Sequence, residues 1–334
     1  MERLNIKMKK NKVSVAITTY NSAKFITEQI ESICNQTIIP DEIIISDDCS
    51  NDDTLKIINY LKNKFNNVYF KIIINNKNIG FIKNFELALN NCTGDIIFLS
   101  DHDDVWLNNK IERIIDIFNA NNNILLIIHD AKLVDSNLNW GGVTVQSQIR
   151  NGFKNTDPVI VGALTVLKRE YLNIILPFPD NIIGHDAWIH DFGRIINVRL
   201  ISNEILQLIR RHESNTSNWI ASSTKKINSF DTLYYNLKTN PAENYNNRLY
   251  INEVMKERIY KIIICKDNKI NFNKNNLEKA IFYLNDEYNA IIMRNAIVKS
   301  FFIKRIYYSL KMLIKGHYIY FNGFHSFLRD IIRL

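Results

Sequence analysis

The chain has 334 residues, 46 % hydrophobic and 23 % charged, enough for a substantial buried core and unlike a disordered or fibrous composition. No run approaches the roughly 18 to 20 uninterrupted apolar residues of a membrane-crossing helix. The opening MERLNIKMKKNK leads into a strand pattern rather than a signal-peptide apolar segment, so a cytoplasmic location is expected. The formal charge of +8 is concentrated at one end: from Arg294 onward eight basic residues stand against Asp330 alone, and the residues before it are close to neutral. That distribution argues against nucleic acid as a partner and points to a C-terminal segment that meets something anionic.

In chain order, VSVAITT (13–19) predicts a strand, and Ile26, Ile30, Ile33 and Cys34 then recur at i, i+4, i+7 and i+8, one face of a helix. EIIIS (42–46) predicts a second strand, Leu55, Ile58 and Leu61 a helix, and VYFKIII (68–74) a third strand. Phe81, Phe85, Ala88 and Leu89 mark another helix, DIIFLS (95–100) the fourth strand, Ile111, Ile114, Ile115 and Phe118 a helix, and LLIIHDA (125–131) a return to strand. Short apolar strands alternating with amphipathic helices predict βαβ crossovers and a mainly parallel sheet flanked by helices, an α/β fold. From about Lys225 the pattern becomes long and helical, which divides the chain into an α/β domain, 1–224, and a helical, basic extension, 225–334. Cys34, Cys49, Cys92 and Cys265 form no C-x-x-C pair, so reduced thiols are expected rather than a zinc site or disulfides.

Ligands of such sheets bind beyond the carboxyl ends of the strands. Thr18, Thr19, Tyr20 and Asn21 close the first strand, Asp47 and Asp48 the second, and Asp101, Asp103 and Asp104 of FLSDHDDVW the fourth. Two unit charges about 4 Å apart repel by roughly 4 kcal/mol at the effective dielectric of a protein surface, so the crowding needs an offset. A solvated acidic loop explains a lone D-x-D; three polar strand ends on one edge ask for more. No G-x-G-x-x-G follows the first strand and no G-x-x-x-x-G-K-[ST] occurs, so phosphates must be met another way. A divalent cation with hard oxygen ligands, Mn2+ or Mg2+, is the natural candidate.

ITTYN (17–21), DDCSNDDT (47–54), NKNIGFIKNFE (76–86) and SDHDDVW (100–106), in this order, resemble the family 2 glycosyltransferases with the GT-A fold. The S-D-x-D-D-x-W form resembles the rhamnosyltransferase-like subset of bacterial surface polysaccharide enzymes, and the resemblance spans about residues 12–215. It implies that Thr19 and Tyr20 border the nucleotide, that Asp48 accepts from the nucleobase and that Lys83 faces the donor phosphates. Asp101 and Asp103 would be the D-x-D pair, with Asp103 ligating the metal and Asp101 nearer the ribose or metal waters; Asp104 either caps the next helix or touches the donor. In GHDAWIHDFG (184–193) Asp186 stands where this family has its catalytic base, with Trp188 near the sugar or acceptor, and His185 where many relatives have Glu. RRHESN (210–215) resembles the R-x-H-x-x-N stretch, implying His212 as a metal ligand or pyrophosphate contact and Arg210 or Arg211 as a phosphate partner. VGALTVLKREYL (161–172) resembles the segment shaping the acceptor pocket, where Gly162 permits close approach or marks a bulge.

The implied activity is inverting, metal-dependent transfer from a UDP- or dTDP-linked sugar to a hydroxyl of a glycan or lipid-linked glycan. Two alternatives stay open: a nucleotidyltransferase acting on sugar phosphates, although TTYNSAKF lacks the Gly-rich basic loop, and a silent sugar-nucleotide-binding assembly subunit. In the extension, Phe302, Ile303, Ile306, Leu310, Leu313 and Ile314 are expected on one helical face with Lys304, Lys311 and Lys315 opposite. That is the layout of a helix lying on the inner membrane surface, or of one whose apolar face packs on protein.

Overall fold

The computed structural model describes residues 11–152, 161–213, 215, 220–238, 245–264, 272–321 and 323–332. Cys265 lies outside them; Cys34 and Cys92 are buried free thiols and Cys49 an exposed one. The elements are β1 (Val13–Thr19), α1 (Ile26–Cys34), β2 (Glu42–Asp47), α2 (Thr54–Lys64), β3 (Tyr69–Ile74), α3 (Phe81–Asn91), β4 (Ile96–Ser100), β5 (Val105–Trp106) and α4 (Lys110–Ala120). They continue with β6 (Leu126–Val134), β7 (Trp140–Thr144), α5 (Val145–Gly152), β8 (Thr165–Lys168), α6 (Arg169–Ile175), α7 (His185–Ile195) and β9 (Arg199–Arg210). Five helices follow: α8 (Ser229–Lys238), α9 (Tyr245–Ile264), α10 (Lys274–Val298), α11 (Phe302–Ile314) and α12 (Gly323–Ile332).

The strands form one sheet in the order β3-β2-β1-β4-β8-β6-β9-β5, with β7 added on β6. Every residue of β1, β2 and β4 is buried, which is why these segments read as largely apolar runs rather than as alternating ones: helices cover both faces. On the edge strand β3, Phe70 turns inward while Tyr69 and Lys71 face solvent. Ile26, Ile30 and Ile33 of α1, Ile58 and Leu61 of α2, and Ile111 and Ile114 of α4 join Val15, Ile17 and Phe98 in the main core.

The first four strands are parallel, as the βαβ rhythm predicts. The second half is mixed: β8 runs antiparallel between β4 and β6, β6 pairs in parallel with β9, and β5 pairs antiparallel with β9. A run such as TVLK announces a buried strand but not the direction of its neighbours, so the antiparallel pairings within the expected mainly parallel α/β sheet are not readable from it. By its position β8 satisfies the open edges of both β4 and β6.

Two compact units divide the chain. The first contains Met1–Phe178, Gly184–Gly193 and Val198–Asn240; the second contains Pro179–Ile183, Arg194–Asn197 and Pro241–Leu334. The expected division at 224/225 therefore differs in the assignment of α8, which belongs to the first unit because it packs on α5. A Cβ at Gly152 would meet Thr232 Oγ1 at 2.6 Å and Ile227 Cδ1 at 2.8 Å, so a larger residue there would push these side chains aside. In the second unit Ala290, Ile297, Met312, Tyr318 and Phe327 form a small core. A buried ion pair stabilises it: Arg294 Nε donates to Asp330 Oδ2 at 3.0 Å, and the Tyr318 hydroxyl donates to the same oxygen at 3.1 Å.

Candidate active site

Parallel pairing brings three strand ends to one edge. Thr19 is level with Asp47 across β1 and β2, and Ile17 with Ser100 across β1 and β4. Thr19 Oγ1 donates to Asp47 Oδ1 at 2.7 Å, and Asp47 also accepts from Ser50 N at 2.8 Å and Ser50 Oγ at 2.6 Å. Those bonds build the turn after β2 and leave Thr19 buried, with the half-exposed Tyr20 beyond it. Asp48 accepts from Asn75 Nδ2 at 3.0 Å, Ile79 N at 2.8 Å and Gly80 N at 2.9 Å. It ties β2 to the start of α3, where Gly80 has φ +82°, a conformation that favours glycine. Of about four lone-pair directions on a carboxylate, three are filled here. Lys83, exposed on α3, pairs with Glu86 at 2.8 Å, whose other oxygen accepts from Phe178 N at 2.7 Å.

Asp101, Asp103 and Asp104 each offer an oxygen within 4.8 Å of the others. Their environments differ. Burial first, then the charges of Asp103 and Asp186, pushes Asp101 up to about 7. Asp103 Oδ2 lies 3.0 Å from His212 Nε2 and 3.0 Å from Asn215 Nδ2. Asp104 neither caps α4, whose N-cap is Asn109, nor is open to a donor: its oxygens accept from Gln207 Nε2 at 2.5 Å and Arg210 N at 3.1 Å. Burial, Asp103 and Asp101 hold it well above the usual carboxylate range. Behind it, the wholly buried Lys110 donates to Gln207 Oε1 at 2.6 Å and sits 3.7 Å from the Trp106 ring centroid. Burial drives Lys110 well below the ordinary lysine range.

Of the two arginines, Arg210 is committed to structure. Its side chain is buried, Nε donates to the Asp103 carbonyl at 2.9 Å, Nη1 donates to the Ser136 carbonyl at 2.8 Å, and Nη2 pairs with Glu28. That leaves it no phosphate. Arg211 is half-buried, lowered by burial against the opposing charges of Asp103 and Asp104, so its guanidinium stands in the field of the acidic turn. His212 packs on Phe25 with centroids 4.6 Å apart, and its Nε2 is engaged with Asp103. Expected as a metal ligand, it stands beside Asp103, the carboxylate expected to hold the ion, and Asn215 Nδ2 lies 3.2 Å from the same ring nitrogen.

From the other side, α7 begins at His185 and carries Asp186 in its first turn, where the helix dipole favours a carboxylate. Asp186 Oδ1 accepts from Ala187 N at 2.8 Å, and its charge acts on Asp101. His185 stacks on Phe85 with centroids 4.2 Å apart; burial lowers it to about 4 against the pull of Asp186. Gly162 opens a 3-10 turn (Gly162–Leu164) against this pair: a Cβ there would stand 2.8 Å from His185 Nε2 and 3.7 Å from Asp186 Cβ. The glycine therefore serves close approach, not a bulge. Trp188 is a correction. Expected near sugar or acceptor, its indole is 3 % exposed, stacked on Phe192 at 5.5 Å and donating from Nε1 to the Ile175 carbonyl at 3.1 Å.

The acidic turn suits a hard divalent cation by its donor set: Asp101 and Asp103 offer carboxylate oxygens close together, with Asp186 adding negative charge and Asp104 already occupied. The residues that fix this turn, Lys110, Gln207, Arg210 and Asn215, carry no sequence signal of their own apart from the RRHESN motif. They are a hydrogen-bonded scaffold assembled from α4, β9 and the stretch that follows β9.

A parallel half-sheet whose strand ends carry an Asp48 turn, a D-x-D turn and an opposing helix-borne aspartate defines a glycosyltransferase of the GT-A type. The family model for glycosyl transferase family 2 matches residues 14–175. A dTDP-rhamnosyl transferase, RfbG of Shigella flexneri, is 31 % identical over 220 residues, 60 % of this chain and 72 % of that one. An uncharacterized glycosyltransferase of Nostoc sp. is 31 % identical over 126 residues, and the match spans 38 % of either protein's length. In fold, the chain is similar to the crystal structure of Staphylococcus aureus TarS 1–349 in complex with UDP-GlcNAc: TM-score 0.53, 16 % identity, 96 % of this chain and 81 % of that one. The chain belongs to glycosyltransferase family 2.

Proposed function

We propose that the protein is a metal-dependent, inverting glycosyltransferase that moves a sugar from a UDP- or dTDP-linked donor to a hydroxyl of a glycan or lipid-linked glycan in surface polysaccharide synthesis. The observation that carries this reading is the convergence of the Asp101–Asp103 pair and Asp186 at the one edge where β1, β2 and β4 end. When bound, Mn2+ or Mg2+ would be held by Asp103 and Asp101 and would supply Lewis-acid neutralisation of the departing diphosphate. Tyr20 offers an exposed ring at the nucleotide edge, with Thr19 behind it bracing the turn. Asp48 has one lone-pair direction left for a nucleobase N–H. Arg211, drawn toward the acidic turn, and Lys83 on α3 supply positive charge for the diphosphate.

On the entering side, Asp186 accepts the proton of the acceptor hydroxyl through the oxygen that Ala187 N does not occupy. A well-placed general base contributes typically about 10²- to 10⁴-fold. One displacement from the face opposite the leaving diphosphate inverts the anomeric carbon. Gly162, by letting His185 and Asp186 approach the turn before β8, shapes the acceptor side. The name of the Shigella flexneri relative favours a dTDP-linked donor, and a lipid-linked acceptor would bring the enzyme to the inner membrane face.

The test is a transfer assay with a panel of UDP- and dTDP-sugars, polyprenyl-diphosphate-linked and free glycan acceptors, and Mn2+, Mg2+ or EDTA. Product from one donor, lost in EDTA and inverted by NMR, supports the reading. Undiminished transfer in EDTA would remove the cation from it.

A further inference from the structure

An exposed apolar surface of the second unit lies on α11, on the side away from that helix's buried residues. Ser309 and Met312 are the fully buried residues of that helix. Ile303, Tyr307, Leu310 and Ile314, spaced i, i+4, i+7 and i+11, are 82 %, 61 %, 45 % and 85 % exposed. At 100° per residue those four fall within about 60° of arc, roughly opposite the buried side. Ile306, expected among them, is largely buried, and Tyr307 takes the central place instead. Phe324, Leu328 and Ile332 repeat an outward apolar row on α12, which packs on α11.

The charge beside the stripe has one sign. Lys304, Lys311 and Lys315 are exposed and form a parallel row along its flank, again spaced i, i+7 and i+11. Asp330, the sole acidic residue after Arg294 in the sequence, is buried and neutralised by Arg294. The outward surface of α11 and α12 therefore presents hydrophobic side chains rimmed by cations with no compensating carboxylate of its own. Protein interfaces deplete lysine from their cores, whereas long lysine stems lie along an apolar stripe and lift their ammonium groups to phosphate. Among the described residues no helix is long and apolar enough to cross a membrane.

We infer that α11, with α12 beside it, is a membrane-docking surface: it lies flat on an anionic phospholipid leaflet, with Ile303, Tyr307, Leu310 and Ile314 in the interfacial layer and Lys304, Lys311 and Lys315 on the headgroup phosphates. The docking rests on the proposed function and deepens it by bringing the chain to the leaflet that holds a lipid-linked acceptor, and it is measured without any transfer reaction.

The experiment is co-sedimentation of the full chain with vesicles of POPC:POPG (1:1) and of POPC alone. The comparison variants are I303S/Y307S/I314S and K304Q/K311Q/K315Q, with size-exclusion light scattering on each. The wild-type chain binds the POPG vesicles at least tenfold more tightly than POPC, each triple variant loses at least tenfold, and 0.5 M NaCl weakens the wild type. All three retain the same melting temperature, mass and transfer to a water-soluble acceptor. The inference is overturned by a wild-type chain that ignores POPG vesicles, by variants that bind as the wild type does, or by a wild-type dimer that the apolar variant converts to monomer.

Discussion

His212 Nε2 and Asp103 Oδ2 lie 3.0 Å apart, with Asn215 Nδ2 at the same distance from that oxygen. Asn215 Nδ2 donates to Asp103 Oδ2 with the His212 ring beside it, so Asp103 is held in one orientation with its other oxygen left for a cation. Removing an outer partner of a metal-binding carboxylate typically costs about 10- to 100-fold in metal affinity. His212→Ala is therefore expected to weaken Mn2+ binding by about that factor in a titration with UDP or dTDP present, while the fold persists. Wild-type affinity in the variant would show that the contact positions nothing.

Asp186→Asn keeps the size of the side chain and an oxygen for Ala187 N but removes the base. Transfer should fall by about 10²- to 10⁴-fold, with donor affinity unchanged by calorimetry. Undiminished turnover would assign the proton to another group.

Gly162→Ala probes the contact with His185. The added Cβ would stand 2.8 Å from His185 Nε2, and the ring cannot retreat freely because it is stacked on Phe85 at 4.2 Å. Overpacking of this kind costs about 1 to 3 kcal/mol. Urea denaturation should register that loss, and turnover should fall with it because Asp186 is carried on the same turn of α7. A variant matching the wild type in both would mean that the turn has room to spare.

Burial also sets a pH dependence. His190 is wholly buried, Nε2 pairs with Thr165 Oγ1 at 2.8 Å, and burial, then the charges of Arg199 and His185, lowers it from the ordinary 6.5 to about 3. The unfolded chain takes up a proton below 6.5 and the folded one does not until about 3. The stability of the neutral form is complete above 6.5 and is lost as pH falls toward 3, by up to about 1.4 kcal/mol per unit for one proton. Urea midpoints at pH 7, 6, 5 and 4.5 should show a shallower decline for His190→Gln than for the wild type. Equal slopes would place the titration elsewhere.

The half of the fold that a local pattern can encode was legible in the residues. β1, β2 and β4 are buried on both faces, so the centres of VSVAITT, EIIIS and DIIFLS had to be apolar rather than alternating, and the helices between them show their period because one face is buried. The antiparallel entry of β8 was not, because TVLK looks the same whichever way its neighbours run. The acidic turn was legible as a cluster, but the different fates of its members were not. Asp104 is distinguished from Asp103 by Gln207 and Arg210, more than 100 residues away in sequence. Trp188 misled for a related reason: a tryptophan beside an expected base suggests a sugar platform, and only the packing against Phe192 and the Ile175 carbonyl reveals a core residue.

The proposed transfer depends on a cation held between the turn after β4 and a nucleoside diphosphate. Calorimetric titration of UDP and dTDP into the full chain, with Mn2+ and again with EDTA, tests it most directly when repeated on Asp103→Asn. The prediction is tight binding of one nucleotide that needs Mn2+ in the wild type and is absent from the variant under both conditions. Equal affinity with Mn2+ and with EDTA, unchanged by the substitution, would contradict it.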